Sequence, residues 1–211
     1  MADRELREAP PQDLFDKMDI PEKPFSLEPA YRLGDVTFPS QFFASPRSRL
    51  TPVSGVFPCI YLGASRRTCV AEVWGDKFYP QAKSGRTNFG IGALDAAKSR
   101  FRKFDQLPAL KICNVTDIDV REKLGIESGT FYAPSLVLPR TWAERVARHP
   151  KNFDGIFYRS RLTDEMCLVI WNRPGGRDIE PDLKFVDDGP FLDCAESYRL
   201  AASCGLKLAF P

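Results

Sequence analysis

A carboxylate, two arginines and a serine carry the clearest chemical potential in this sequence: Glu72, Arg32, Arg49 and Ser160. Arg32 lies inside a strand-like run, Ala30-Tyr31-Arg32-Leu33, where a guanidinium needs a counter-charge or a ligand. Arg49 closes the run Ser45-Pro46-Arg47-Ser48-Arg49, and Arg47 competes with it for the same part. Planar guanidinium forks match phosphate oxygens two at a time, so such a pair suits a pyrophosphate. The plainer reading is that both are solvated loop arginines. Glu72 sits in a helix expected over 65–74, whose apolar stripe is Val70, Val73 and Trp74. At 100° per residue it lies about 200° round from Val70, on the face of Thr68 and Cys69. That position leaves it free to line a cleft, or simply to meet solvent. Ser160 follows a strand, where a serine ordinarily caps a turn. Tyr61 ends another strand, with a hydroxyl that needs a partner.

Several other chemistries find no support. Neither a G-x-G-x-x-G nor a Walker A sequence is present, and Gly90-Ile91-Gly92 is too short to stand for either. The six cysteines, Cys59, Cys69, Cys113, Cys167, Cys194 and Cys204, form no C-x-x-C pair, and most read as small core hydrophobes. His149 is the single histidine, and its place before Pro150 reads as the surface end of a helix. Histidine triads and multi-histidine metal sites are thereby removed. Thirty Lys and Arg against twenty-eight Asp and Glu leave a net charge of +2, which is weak for a nucleic-acid binder. The short basic run Lys98–Lys103 reads as the solvated face of a helix. The opening residues lack an apolar signal core, and no run approaches the roughly 18 apolar residues of a membrane span. With unpaired cysteines as well, the expected location is the cytoplasm, with no membrane or direct nucleic-acid partner.

The elements that would position these residues follow from periodicity and punctuation. Residues 1–29, rich in Pro, Glu and Asp, read as an arm with one short helix around 12–18, lying on the domain rather than in its core. The domain proper is expected over 30–211. Strands are expected at 30–33, 57–62, 110–115, 155–158, 166–171 and 206–210. Helices are expected at 65–74, stopped by Gly75, and at 94–104, 139–149 and 191–203. Residues 172–176 (Asn-Arg-Pro-Gly-Gly) read as a turn. Strands and helices interleave without a steady βαβ rhythm, which favours α+β over a doubly wound sheet.

Taken in order, the motifs resemble those of the RES-domain family, named for Arg, Glu and Ser. Tyr31-Arg32 is similar to the family's opening Tyr-Arg. Ser48-Arg49-Leu50-Thr51-Pro52 and Phe57-Pro58-Cys59-Ile60-Tyr61-Leu62-Gly63 resemble its next stretch, and Thr68-Cys69-Val70-Ala71-Glu72 its "T-A-L-A-E". Thr141-Trp142-Ala143 and Asp154-Gly155-Ile156-Phe157-Tyr158-Arg159-Ser160-Arg161 resemble its later "W-A" and "D-G-I-x-Y-x-S-R". The resemblance spans about residues 30 to 175. Where many members carry "G-G-R-W", this chain has Pro46-Arg47-Ser48-Arg49, so the alignment of Arg49 stays open against Arg47.

The resemblance implies an ADP-ribosyltransferase-like fold: a split, mostly antiparallel sheet with flanking helices, gripping NAD⁺. It implies a toxin that cleaves the nicotinamide–ribose bond, with inorganic phosphate as acceptor and a helix-turn-helix antitoxin of Xre type as partner. NAD⁺ is then substrate, and no separate cofactor or metal is expected. Glu72 would stabilise positive charge developing on the ribose. Arg32 and Arg49 would clamp the pyrophosphate, Tyr31 and Tyr61 would line the NAD⁺ site, and Ser160 would hydrogen-bond the nicotinamide end. A protein mono-ADP-ribosyltransferase and an NAD⁺ glycohydrolase differ only in the acceptor. A catalytically silent binding module is the alternative from another class.

Overall fold

The computed structural model describes residues 8–38, 42–43, 48–54, 57–83, 90–127, 130–132, 136–194, 197–199, 202 and 207–209, with backbone alone for 75–83, 90 and 207–209. Seven strands form one sheet: β1 (Ala30–Asp35), β2 (Cys59–Gly63), β4 (Ser99–Phe104), β5 (Ile112–Asn114), β6 (Gly155–Arg159), β7 (Met166–Trp171) and β8 (Val186–Pro190). Their spatial order is β5-β6-β7-β2-β1-β4-β8, and only the β5–β6 pair is parallel. A separate parallel pair joins β3 (Gly90–Gly92) to β9 (Lys207–Ala209). The helices are α1 (Gln12–Phe15), α2 (Arg66–Lys83), α3 (Ala93–Lys98), α4 (Ile118–Leu124) and α5 (Val137–Ala147). This is the expected α+β class with a mostly antiparallel sheet. The sheet is also split: β1 pairs with β2 at one position alone, Tyr31↔Gly63, whereas β2 follows β7 for five. Beyond Tyr31 the two strands part, and the far end of β2 takes Phe43 opposite Cys59 instead.

Side-chain alternation divides the core. One face packs Cys59, Ile156, Tyr158, Cys167, Val169 and Trp171 against α4 and α5 through Val120, Leu124, Trp142 and Val146. The other gathers Ile60, Leu62, Phe157, Leu168, Ile170, Ala30 and Phe104. Strand β7 is covered on both sides, which explains why its sequence, Met-Cys-Leu-Val-Ile-Trp, is apolar without interruption. A third cluster seats α2 on the sheet through Cys69, Val70 and Trp74 against Leu33, Phe101 and Phe191.

Several local expectations are corrected. Helix α2 runs through Gly75 to Lys83, because a glycine inside a helix costs only about 1 kcal/mol and stops it only when the chain turns left-handed there. The helix expected over 94–104 ends at Lys98, and Ser99–Phe104 becomes β4. Its residues also alternate with period two, and six-residue pairing with β1 decides between the two patterns. The basic run is therefore strand, with Arg100 on Asp187 of β8 at 2.6 Å. The residues before α2's sheet partner are not idle either: Phe15 and Ile20 are fully buried, so the arm supplies core. His149 is buried, its Nε2 bonded to the Met18 carbonyl (3.1 Å) and its Nδ1 accepting the Lys151 amide (3.1 Å). Val73, expected in the apolar stripe, is exposed. Of the helix expected over 191–203, residues 191–193 form a turn and much of the rest lies outside the described residues, as do Arg47, Cys204 and the ends of the strand expected over 206–210.

Candidate functional site

The site begins where α2 does. Ser65 caps the helix, its Oγ accepting the Thr68 amide at 3.1 Å and its carbonyl the Cys69 amide at 3.1 Å. The β6–β7 turn is fastened to the same place. Glu165 accepts hydrogen bonds from the Ser65 and Thr68 hydroxyls, and Thr68 Oγ1 meets Thr163 Oγ1 at 2.9 Å. A carboxylate at a helix N-terminus is also favoured by the helix dipole. The turn is therefore held in register with α2, two turns of helix from Glu72.

That register delivers Ser160 to Glu72. Ser160 is buried, and its Oγ accepts the Leu162 amide (3.2 Å) and the Thr163 amide (3.3 Å). A hydroxyl has two acceptor sites and one proton, so the proton has one destination left. It goes to Glu72 Oε1 at 2.6 Å. Ser160 does cap a turn, as a serine in that place ordinarily would, and in doing so it becomes an oriented donor.

Burial pushes the Glu72 carboxyl above the usual glutamate range, against the opposing pull of the Ser160 hydrogen bond, the charges of Arg161 and Arg49, and the Tyr158 hydroxyl. Tyr158 is itself buried, and desolvation together with the Glu72 charge raises its phenol well above the ordinary value, so it stays a neutral donor. Arg49 is held by its neighbours. The Leu50 amide donates to the Tyr61 hydroxyl (3.0 Å), the Leu50 carbonyl accepts from Trp171 Nε1 (3.1 Å), and the Thr51 carbonyl accepts from Arg140 (3.0 Å). Tyr61 therefore fixes the segment that carries Arg49.

Four of the expected residues are thus assembled: Arg49, Tyr61, Glu72 and Ser160. Arg32 is placed differently. Alternation along β1 turns Tyr31 and Leu33 toward the α2 cluster and leaves Arg32 paired in register with Arg102. Arg32 is the first residue of β1 beyond the Tyr31↔Gly63 pairing, so it stands at the split in the sheet. Its guanidinium lies 5.8 Å from the Phe43 ring centroid. Burial, then the Arg102 charge, lowers its pKa to about 10, against the opposing influence of Cys59, Glu180 and Cys69. Arg102, rather than Glu72, is the leading charge acting on it. Tyr31 joins β1 to α2 through its carbonyl, which accepts from Cys69 Sγ at 3.1 Å.

Two residues around Glu72 were not singled out from sequence: Tyr158 and Arg161. Tyr158 lies two positions before Ser160, the spacing that puts side chains on one face of a strand. Arg161 follows Ser160 directly. A cavity of about 330 Å³ opens beside Tyr158, walled also by Val115, Arg121, Phe131, Arg159 and Asp164. Among the described residues no group of His, Cys, Asp and Glu has the arrangement of a metal site, and no helix is long and apolar enough to cross a membrane.

The RES domain family matches residues 22–192, most of the chain. The protein belongs to the RES-domain family. The matched span starts inside the N-terminal arm, ahead of β1. The RES chain is also similar in fold to a chain in the crystal structure of the M. tuberculosis MbcT–MbcA toxin–antitoxin complex, at 22% identity and a TM-score of 0.51. That likeness covers 83% of this chain and 89% of the other. No curated protein matches the sequence significantly. The Glu72 and Ser160 motifs therefore meet, and the Tyr-Arg motif lies at the strand where the sheet divides.

Proposed function

We propose that this RES domain is an NAD⁺-cleaving toxin that breaks the nicotinamide–ribose bond. The observation that carries the reading is the 2.6 Å hydrogen bond from Ser160 to Glu72, with Arg49 and Arg161 beside the carboxylate. In NAD⁺ the nicotinamide is already cationic, so the C–N electron pair leaves with it as a neutral base. The harder requirement is to stabilise positive charge on the ribose, and an oriented carboxylate does that electrostatically. Glu72 takes this part. Ser160 holds its oxygen in place, and since its one proton is committed to Glu72 it acts through the carboxylate. Arg49, with Arg161, neutralises phosphate oxygens. Arg32, at the split, faces the pyrophosphate from the other strand, and Tyr31 and Tyr61 shape the entry. Inorganic phosphate is the acceptor in this reading: one of its oxygens bonds to the anomeric carbon that nicotinamide leaves. The scheme calls on no separate cofactor or metal.

The likeness in fold to a chain of a toxin–antitoxin complex supports an antitoxin partner, here assigned as a helix-turn-helix protein of Xre type, in the cytoplasm. Incubation with NAD⁺, with and without phosphate, tests the acceptor. The expected product is a ribosyl phosphate that appears only when phosphate is supplied. Free ADP-ribose in both samples would mean a glycohydrolase, and a labelled protein side chain would mean a transferase. No nicotinamide release at all would leave a silent binding module and overturn the reading.

A further inference from the structure

Helix α5 turns Trp142, Ala143, Val146 and Ala147 into the core. Arg140 and Glu144 stand four residues apart, the spacing that makes side chains neighbours along a helix. Both reach over the same stretch of chain. Arg140 Nε donates to the Thr51 carbonyl at 3.0 Å, and its Nη2 to the carbonyls of Pro52 (3.3 Å) and Val53 (3.5 Å). Glu144 Oε2 accepts the Ser54 amide at 3.1 Å and the Ser54 hydroxyl at 2.8 Å. Residues 51–54 lie in no helix or strand, so their backbone groups depend on such partners. Two side chains thus brace four consecutive residues against α5.

The brace is itself well supported. Glu144 is 8% exposed, and its other oxygen accepts from Arg148. Burial acts to raise its carboxyl, but the hydrogen bonds from Arg148 and Ser54 outweigh it and hold it below the usual glutamate range. On its other side the segment is fixed at Leu50, by the Tyr61 hydroxyl and Trp171 Nε1. Arg49 is the next residue, and the opposite charges of Arg49 and Glu72 act on each other. Where 50–54 sits therefore decides where the Arg49 guanidinium stands relative to Glu72. A displacement of about 1 Å that begins far from the chemistry costs up to about 10²-fold in rate. Ordinary loop packing, by contrast, would show only in stability.

Resting on the NAD⁺ reading above, we infer that Arg140 and Glu144 are positioning residues, which hold 51–54 on α5 and so aim Arg49 at the substrate beside Glu72. The test compares Arg140→Lys, Arg49→Gln and the double variant by calorimetric binding of ADP-ribose and by carbon-13 NMR titration of Glu72. Lysine keeps the charge but not the planar fork, so a change at Glu72 reports displacement of Arg49 rather than a lost cation. Arg140→Lys weakens ADP-ribose binding by about 10-fold and raises the Glu72 pKa, as Arg49→Gln does. The double variant is no worse than Arg49→Gln alone, because the two residues act as one unit. Glu144→Gln, which still offers Ser54 an acceptor, moves both readings the same way by a smaller factor. Additive losses in the double variant, or a lower melting temperature with affinity and Glu72 unchanged, overturn the proposal and leave NAD⁺ cleavage standing. In a wild type that neither binds ADP-ribose nor releases nicotinamide the cleavage reading falls, and the Glu72 titration alone upholds or overturns the brace.

Discussion

Two charges, the Glu72 carboxylate and the buried Arg32 guanidinium, sit in surroundings that pull them in opposite senses. Glu72 is met by donors and cations from three segments: Ser160 and Arg161 in the β6–β7 turn, Tyr158 on β6, and Arg49 in the segment before β2. Arg32 has a like charge, Arg102, directly across the strand pair, and burial depresses its pKa to about 10. The carboxylate is held by an environment built for its ionised form, although burial still raises its pKa. The arginine stands where an arriving anion would relieve repulsion. The first arrangement suits a fixed electrostatic catalyst, the second a substrate clamp.

Removing the Glu72 charge tests this contrast most severely. Glu72→Gln keeps an acceptor for Ser160 and is expected to cut nicotinamide release by about 10²–10³-fold. Because the folded state raises the Glu72 pKa, protonation favours folding: that contribution is full below the unfolded value of about 4.3 and is lost as pH rises through the folded one. The variant should therefore melt at or above the wild-type temperature at neutral pH, with the gap closing on acidification. A clear fall in melting temperature at pH 7 would contradict the raised pKa.

Arg32→Ala comes next, with an expected loss of about 10- to 100-fold in NAD⁺ affinity, since it removes a charged hydrogen-bonding group. Equilibrium binding would read it, and near-native affinity would remove Arg32 from the clamp. Ser160→Ala should lower turnover by about 10-fold, in the range of one lost charged hydrogen bond. It should also move the acid limb of the pH–rate profile upward, because Glu72 loses the largest influence that opposes its desolvation.

A smaller effect separates the two arginines. Arg49→Gln should raise the same acid limb, since Arg49 lowers the Glu72 pKa, whereas Arg32→Ala should leave it in place. A limb that moves equally in both variants would show that the two neighbourhoods are electrically one. The mildest change is Thr68→Val, which deprives Glu165 and Thr163 of a shared hydroxyl and should cost about 1–2 kcal/mol by denaturant unfolding.

Strand β7 was legible because burial on both faces writes an unbroken apolar run, and α5 because Pro139 and Pro150 bracket a helical stripe. Strand β4 was not. Its residues fit a helix as well as a strand, and the choice was made by β1 alongside it. The burial of His149 was equally invisible, since it depends on Phe15 and Met18, more than 130 residues away, folding over it. In the site, Glu72 and Ser160 were each legible as types in motifs, but Tyr158 and Arg161 were not marked out.

By itself, the sequence determined the α+β class, the family motifs in their order, and the helical face that leaves Glu72 off the stripe of Val70 and Trp74. Those features are written in local periodicity and spacing, which one segment carries alone. Only the tertiary structure decided that Ser160 gives its proton to Glu72 across 88 residues, that Tyr61 serves Arg49 through the Leu50 amide, and that Arg32 stands apart at the split. Each depends on which strands pair, and pairing is a property of the whole sheet.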